Sequence, residues 1–340
     1  MNDSHHARCV VLVSALLCFS FLVSGPFHSA RAQEPEPPAS TTRGIQLYEQ
    51  GDLQGAAKVL KAVVAKHRDD ADAWYYLGLA LYRQRWIGAA RFPFERVVEL
   101  RPSSADARAK LSYALILTDE SEKALAMAQS AIDLGDQSAE PHYAIAEASL
   151  RNNKDALKAQ FQTAIEQADT ALNINPSFSL ALITRSFAQS KLEQYSEAAA
   201  SLERFLVLNP DDLDAETWRE QATMLAQRSR DSQPTAATSL PSTLAILSGR
   251  ETSQKARVLS KPEPSYTEAA RRAGVTGKIV LRAIFSSDGE VKSLRVSQAL
   301  PFGLTTAAIQ AARRIKFTPA MKDGTPVSMY IQLEYNFNLF

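Results

Sequence analysis

A repeat with a period of 34 residues constrains the fold of this chain more than any other feature. One copy has six marker residues at offsets of 0, 3, 4, 16, 20 and 28: Trp74, Leu77, Gly78, Ala90, Phe94 and Pro102. Residues three and four apart lie on one face of a helix, so the first three positions form a contact surface. The small residues Gly78 and Ala90 allow a second helix to pack closely, and Pro102 ends that helix. The period predicts a stack of helical pairs, each packed on its neighbours.

Other segments repeat the pattern. Shifts of 34 residues place small or apolar residues at matching positions, among them Gly44, Ala56, Leu60, Leu111 and Ala124. Pro176 and Pro210, which end two later copies, are also 34 residues apart. The pattern resembles the tetratricopeptide repeat. The resemblance implies an N-terminal α-solenoid over residues 41–229, with about five helical pairs and a polar-faced capping helix.

The repeat resemblance also implies a concave groove, lined by the first helix of each pair. The corresponding positions here are mainly aromatic: Tyr48, Tyr75, Leu79, Tyr82, Tyr113, Tyr143 and Phe187. One interpretation is a groove for an extended or helical peptide, because rigid aromatic side chains give contact area at low entropic cost. The other is that many of these side chains pack against neighbouring helices. The sequence leaves both interpretations open.

The last quarter of the chain changes from a helical to an alternating period. Residues 327–339 place apolar side chains at every second position, as a strand with one buried face does. The pair Asp288-Gly289 predicts a hairpin turn between strands over 278–286 and 290–297. Helices are predicted over 267–273 and 304–315.

Residues in this segment carry a second family resemblance: Pro264, Tyr266, Ala270-Arg271, Gly274, Gly277, Gly289, Val291, Ala308, Ala311, Phe317-Thr318-Pro319-Ala320, Gly324, Pro326 and Phe337. In order and spacing they resemble the TonB C-terminal domain, although Thr267 departs from the Tyr-Pro that usually continues there. The resemblance implies a small α+β domain over 256–340, with a three-stranded antiparallel sheet and two helices. In energy-transducing members of the family, an edge strand of this domain pairs with a short motif of an outer-membrane transporter.

The last strand is the predicted docking edge. A sheet edge presents free N–H and C=O groups with which a peptide strand can pair. We expect partner contacts along this edge at Ser328, Tyr330, Gln332, Glu334 and Asn336. The alternatives are that the edge pairs with a second copy of the chain or is covered by residues 257–264.

The N-terminal segment is typical of an export signal. An uncharged run over 10–25 is followed by Ala-Arg-Ala at 30–32, a small-residue pattern that signal peptidase cleaves. We expect a signal peptide over 1–32 and a periplasmic mature protein. The alternative is a retained segment that anchors the chain in the inner membrane, facing the periplasm. Proline, serine and threonine content predicts a spacer over 33–40 and a flexible linker over 230–255.

Composition and motifs exclude several classes of function. The two cysteines, Cys9 and Cys18, both lie in the N-terminal segment, which excludes a disulfide scaffold or a cysteine zinc site elsewhere. A net charge of +1 does not fit a polycation built for nucleic acid. The sequence has no nucleophile elbow, metalloprotease, phosphate-loop or dinucleotide-binding motif. We therefore expect no enzyme activity, no cofactor and no metal site.

Charge divides the chain into an acidic and a basic part. Residues 33–253 carry 23 Lys and Arg against 30 Asp and Glu, whereas residues 254–340 carry 13 against 6. Solvated surfaces explain most of this difference. The opposite signs are also compatible with a contact between the two parts or with a membrane surface.

These features together predict a non-catalytic periplasmic protein-protein interaction protein. Its repeat scaffold would be joined to a docking domain that binds an outer-membrane transporter, or another envelope protein, by strand addition. A peptide ligand in the repeat groove is the second expected partner, and nucleic acid is not expected. The first alternative is a membrane-anchored TonB-type energy transducer for outer-membrane transport. The second is a general envelope-assembly scaffold.

Overall fold

The computed structural model describes residues 40–151, 158–232 and 246–339. Its N-terminal part is built of eleven helices: α1 (Thr41–Glu49), α2 (Leu53–Lys66), α3 (Ala71–Arg83), α4 (Ile87–Leu100), α5 (Ala105–Leu117), α6 (Ser121–Asp133), α7 (Ala139–Arg151), α8 (Lys158–Ile174), α9 (Leu180–Lys191), α10 (Tyr195–Leu208) and α11 (Ala215–Asp231). Consecutive helices pack on each other, so that α1–α10 form five pairs and α11 closes the stack. The predicted α-solenoid with a capping helix is confirmed.

Small residues allow the paired helices to approach closely. Gly78 of α3 lies against Phe94 of α4, and a Cβ atom at this glycine would be 2.7 Å from the ring. One repeat earlier, a Cβ atom at Gly44 would be 2.4 Å from Leu60. Because interiors are close-packed, a larger side chain at either glycine would push the two helices apart. This close approach is the physical reason for the repeated small residues.

The C-terminal part is a small α+β domain. Its elements are β1 (Arg257–Ser260), α12 (Glu268–Ala273), β2 (Gly277–Phe285), β3 (Val291–Gln298), α13 (Leu304–Arg313), β4 (Lys316–Thr318), β5 (Ala320–Lys322), β6 (Thr325–Val327) and β7 (Met329–Phe337). The main sheet has the order β3-β2-β7, with antiparallel neighbours, and β1–β4 and β5–β6 form two further pairs. The predicted three-stranded antiparallel sheet with two helices is confirmed.

Local chemistry sets the ends of these elements. Thr267, the residue that departs from the family pattern, caps α12 by accepting a hydrogen bond from the Ala270 N–H at 3.2 Å. The helix ends at Gly274, whose φ of +70° lies in the left-handed region that glycine adopts without strain. Gly289 has a φ of +86° in the turn between β2 and β3.

The sheet buries one face against its own helices and loops. Leu281 of β2 and Leu333 of β7 are direct cross-strand partners on this face. Phe285 stacks on Phe317, with 3.9 Å between the ring centroids. Leu304 begins α13 and is fully buried. The alternation of β7 that was evident in the sequence therefore marks the core side of the sheet.

Residues Ala39–Phe340 form one compact unit, so the repeats and the C-terminal domain are packed together. One cluster of buried apolar side chains contains members from both, among them Trp218 of α11 and Leu300. Trp218 is 1% exposed. The capping helix therefore has the predicted position but not a fully solvated outer face.

The predicted flexible linker over 230–255 differs from the structure at both of its described ends. Its first residues complete α11, which continues to Asp231. Near its other end, Leu247 and Gln254 form β-bridges with Met329 and Met321. The residues after 246 are fixed because their backbone groups hydrogen-bond to the C-terminal domain.

Several sequence predictions lie outside the described residues. These are the signal peptide over 1–32, the spacer over 33–40 except for its last residue, and the middle of the linker, 233–245. Within the described ranges, no helix is both long enough and apolar enough to cross a membrane.

Candidate functional site

The outer edge of β7 is the first candidate interaction surface. One edge of β7 pairs with β2 along its full length, from Gly277 opposite Phe337 to Phe285 opposite Met329. Backbone groups alternate between the two sides of a strand. Tyr330 donates its N–H outward to the Leu247 carbonyl at 3.2 Å, so Gln332 and the later even-numbered residues also turn their backbone groups outward.

The predicted contact residues lie on this edge, and two neighbouring segments cover part of it. The Ser328 carbonyl accepts a hydrogen bond from the Leu247 N–H at 2.9 Å. The Lys261 ammonium group donates to the Glu334 carbonyl at 2.6 Å. Within the described residues, the N–H and C=O groups of Gln332 have no hydrogen-bond partner. The middle of the β7 edge is therefore open, between two covered ends.

The side chains on this edge face solvent, except for the half-buried Ser328, whose hydroxyl accepts the Ser287 N–H at 3.1 Å. Tyr330 is 57% exposed, and Gln332, Glu334 and Asn336 are also exposed. Gln332 donates a side-chain hydrogen bond to the Glu334 carboxylate at 2.9 Å. The edge thus combines free backbone groups with polar side chains and one aromatic ring, which suits an added peptide strand.

The other sheet edge, on β3, is closed by the capping helix. Gln221 of α11 donates its side-chain N–H to the Leu294 carbonyl at 3.0 Å and accepts the Val296 N–H at 3.1 Å. Its side-chain amide thereby satisfies the two backbone groups that a neighbouring strand would otherwise bond. Gln221 is 6% exposed. The repeats therefore protect one edge of the sheet and leave the other available.

A second polar contact joins the capping helix to α13. Asp214, just before α11, accepts hydrogen bonds from the Gly303 and Thr306 N–H groups, each at 2.8 Å. Gly303 has no side chain to cap α13, so the carboxylate of Asp214 fills this role from the repeat part of the chain. Burial raises the pKa of Asp214 to about 6, although the N–H donors act in the opposite direction. Asp214 as a whole is 1% exposed to solvent.

Further contacts extend this interface towards earlier repeats. The Thr276 N–H donates to the carbonyl of Leu117, the last residue of α5, at 2.9 Å. Gly88 of α4 lies directly against Gly274, and a Cβ atom at Gly88 would be 2.9 Å from the Gly274 Cα. Arg313 of α13 forms an ion pair with Glu220, in which one guanidinium nitrogen, Nη2, donates to both carboxylate oxygens at 2.7 Å. The C-terminal domain thus contacts α4, α5 and α11.

The predicted groove residues form an aromatic series along the repeats. Ring centroids are 5.8 Å apart between Tyr82 and Tyr113 and 5.7 Å apart between Tyr113 and Tyr143. Tyr113 and Tyr143 are 6% and 4% exposed. In the structure, these two side chains pack against neighbouring helices, and burial raises the pKa of Tyr113 to about 12. Peptide contact with them stays a prediction.

The earlier tyrosines are half-buried and linked across repeats. The Tyr75 hydroxyl donates to Asp106 at 2.6 Å, and the Tyr82 hydroxyl donates to Glu140 at 3.1 Å. Leu79 is half-buried as well, and Tyr48 lies edge-on to Tyr76 with 5.4 Å between centroids. Their rings retain accessible surface at the N-terminal end of the repeats.

The C-terminal domain approaches the opposite end of the groove. Phe187 lies 6.1 Å from Trp218, centroid to centroid. Both side chains line a small cavity together with Tyr143 and with residues 297–301, which form the end of β3 and the loop after it. The end of β3 therefore lies against the last predicted groove positions.

Metal-binding side chains are not clustered in the described residues. In the part of the chain that the structure describes, no group of three or more His, Cys, Asp or Glu side chains is arranged to hold a metal ion. The polar groups of the two surfaces are amides, hydroxyls, carboxylates and backbone groups, which suit protein recognition.

Comparisons with known families match both parts of the chain. Residues 41–93 match the tetratricopeptide repeat family, and residues 262–339 match the family described as Gram-negative bacterial TonB protein C-terminal. Protein TonB of Vibrio cholerae serotype O1 is 29% identical over 109 residues, covering 32% of this chain and 43% of that protein. The match thus spans less than half of the curated relative.

Solved structures are similar to about half of the chain. A crystal structure of MamA protein is 23% identical, with a TM-score of 0.39, over 52% of this chain and 94% of that one. YrrB, described as a TPR protein with an unusual peptide-binding site, is 16% identical, with a TM-score of 0.40, over 53% of this chain and 90% of that one. A thermophilic TPR protein in Thermus thermophilus is 19% identical, with a TM-score of 0.38, over 54% and 97%.

The chain therefore combines tetratricopeptide repeats with a TonB C-terminal-type domain, and both are families of protein-interaction modules. Gln221 and Asp214, which connect the two parts, were not predicted from the sequence. A helix face with Thr217 and Gln221 indicates a polar surface, and nothing in that pattern distinguishes water from the backbone of a second domain.

Proposed function

We propose that this chain is a non-catalytic periplasmic protein in which the repeats hold a TonB-type domain so that β7 can pair with a partner strand. The partner would be an extended segment of an outer-membrane transporter or of another envelope protein. The likeness to Protein TonB supports a location in the cell envelope. Both families of the chain support a role in binding proteins rather than in catalysis.

The observation that carries this proposal is the difference between the two sheet edges. Gln221 closes the β3 edge, whereas Gln332 on β7 keeps its outward N–H and C=O groups free. Unsatisfied edge groups favour pairing with another strand. Backbone pairing supplies affinity, and the exposed side chains beside it supply specificity.

A proline on β7 tests the proposal directly. The N–H of Gln332 points away from β2, so Gln332→Pro removes a partner-facing donor and leaves the ladder to β2 in place. Gln332→Ala is the matched control, because it removes the same side chain and keeps the N–H. A photoreactive amino acid at Tyr330 would report contacts in intact envelopes.

We expect crosslinks to an outer-membrane protein in the parent chain and in Gln332→Ala, and their loss in Gln332→Pro. Circular dichroism and thermal unfolding would establish that the proline variant is folded. Undiminished crosslinking by folded Gln332→Pro would contradict strand addition at this edge.

A second binding surface is supported at the N-terminal end of the repeat groove. Tyr48, Tyr75, Leu79 and Tyr82 are half-buried there, in contrast to the buried Tyr113. Half-exposed aromatic side chains on adjacent helices provide rigid contact area for a peptide. We assign the peptide-binding role of the repeats to this end.

A further inference from the structure

A cationic cleft lies between the capping helix and the exposed face of the sheet. Its volume is about 570 Å³, and its lining includes Arg228, Arg282, Arg295, Tyr330, Ile331 and Gln332. Arg228 belongs to α11, whereas the other five belong to the three strands. Both parts of the chain are needed to build the cleft, so it exists only while they are packed together.

The cations of this cleft come from three directions. Arg282 of β2 lies directly opposite Arg295 of β3 in the strand register, so their side chains share the solvent face. Arg228 adds a third guanidinium, held with its charge 4.8 Å from the centroid of the Tyr195 ring. Lys191 at the end of α9 is close enough that Arg282 and Arg295 add to the effect of burial in lowering its pKa.

No carboxylate neutralises this group within the described residues. None of the three arginines or Lys191 forms an ion pair there. Burial, followed by the charge of Arg228, lowers the pKa of Arg295. On the same face of β7, the Glu334 carboxylate accepts a hydrogen bond from Gln332 and forms no ion pair with these arginines among the described residues. Like charges gathered without a counter-charge repel each other, and a bound anion would remove that repulsion.

We propose that this cleft binds the acidic side chains of an extended partner peptide that is added to β7. The inference rests on the proposed strand addition and specifies the chemistry of the partner. Gln332 lies directly opposite Arg282 across β7 and β2. A strand added beside β7 would lie about 10 Å from β2, since neighbouring strands are about 4.8 Å apart. Extended arginine and glutamate side chains together span that separation.

The lining of the cleft favours a peptide over a small free anion. Ile284 contributes apolar surface beside the arginines, and its register partner Tyr330 contributes a ring. A phosphate ion would use the charges and leave this apolar surface exposed. The chain's own segment 233–245, which follows α11, contains no Asp or Glu and does not supply the complementary charge.

Two synthetic peptides and two double variants test the inference. The first peptide has seven residues that alternate valine with glutamate, and the second has glutamine at each glutamate position. Their affinities would be measured by calorimetry with the full mature chain and with Arg282→Gln/Arg295→Gln. The matched control is Arg272→Gln/Lys322→Gln, which removes two exposed charges outside the cleft.

We expect the acidic peptide to bind the cleft variant at least tenfold more weakly than the parent and the charge control. This factor corresponds to about 1.4 kcal/mol, a modest value for two charge-assisted contacts. The glutamine peptide should bind all three proteins with similar, weaker affinity. Gln332→Pro should abolish binding of both peptides.

Each contrary result has a defined meaning. Equal binding of the acidic peptide to parent and cleft variant overturns the inference, and loss in Gln332→Pro would still leave strand addition standing. Arginine-dependent binding that persists in Gln332→Pro supports the cleft and overturns strand addition. No binding of the acidic peptide to the parent at millimolar concentration, or arginine-dependent binding of phosphatidylglycerol vesicles alone, overturns the peptide assignment.

Discussion

The substitution Gln221→Ala should weaken the contact between the sheet and the capping helix. The side-chain amide of Gln221 bonds both the Leu294 carbonyl and the Val296 N–H, and it lies in a buried position. Alanine removes both bonds while keeping a residue with high helix propensity in α11. The variant therefore perturbs the interface with little direct effect on the helix.

The expected cost follows from the two backbone groups that lose their partner. A buried donor or acceptor left without a hydrogen bond costs about 1–3 kcal/mol. Water can reach the edge of a sheet more easily than the centre of a core, so we take the lower half of that range for each group. The contact between the two parts should weaken by about 2–4 kcal/mol in free energy.

Hydrogen exchange at the Val296 amide measures this effect where it arises. If the exchange of this amide requires separation of β3 from α11, its rate should rise about 30-fold or more, since 1.4 kcal/mol corresponds to a factor of ten. Gln227→Ala is the matched control, because Gln227 is an exposed glutamine on the same helix. Its substitution should leave exchange at Val296 unchanged.

An unchanged exchange rate at Val296 in Gln221→Ala would refute this reasoning. It would mean that the side-chain amide does not stabilise the β3 edge in solution. A rise of the same size in Gln227→Ala would show instead that the helix as a whole had been destabilised. The two variants thus separate the edge contact from helix stability.

Two further substitutions probe the same interface. Folding raises the pKa of Asp214 from 3.8 to about 6, so between these pH values the folded protein binds a proton that the unfolded chain releases. The free energy of unfolding should therefore be greatest below about pH 4 and fall by up to about 3 kcal/mol as the pH rises to about 6. The negative charge of the neighbouring Asp212 also raises the pKa of Asp214. Urea unfolding of Asp214→Asn should show a smaller loss over this range than the parent, and an identical pH profile would contradict the assignment. Gly88→Val should lower the unfolding midpoint by several degrees, because its Cβ would lie 2.9 Å from the Gly274 Cα. An unchanged midpoint in this variant would contradict the close contact between α4 and Gly274.

The sequence predicted the elements because each has a strong local signal. The 34-residue period reflects helices that must approach closely, and Gly78 against Phe94 is a visible example. The alternation of β7 reflects one buried face, and Leu333 is 5% exposed on that face. These patterns repeat along the chain, so a few exceptions do not obscure them.

The contact between the two parts could not be predicted in the same way. It depends on single residues, such as Asp214 and Gln221, that lie far from their partners along the chain. A polar residue on a capping helix has the same sequence signature whether it meets water or the edge of a sheet. The opposite net charges of the two parts were compatible with a contact. Among the described residues, however, the one ion pair that joins the two parts is that between Arg313 and Glu220.

The aromatic series of the repeats illustrates the same limit. Helical spacing correctly places Tyr82, Tyr113 and Tyr143 on one connected surface, as their ring contacts show. Spacing does not determine how far each ring is covered by the neighbouring repeat. Exposure depends on the local superhelix and on Phe178, whose ring lies 5.9 Å from Tyr113 and 5.2 Å from Tyr143.

The two sheet edges suggest how the parts of the chain act together. An isolated three-stranded sheet has two edges on which a partner strand could add, in either of two orientations relative to the domain. By closing the β3 edge, Gln221 leaves a single open edge, and Arg228 of the same helix extends over the face beside it. The capping helix thereby restricts the partner to β7 and contributes charge to its recognition. The repeats are then part of the specificity of the docking domain, in addition to any peptide that they bind in their own groove.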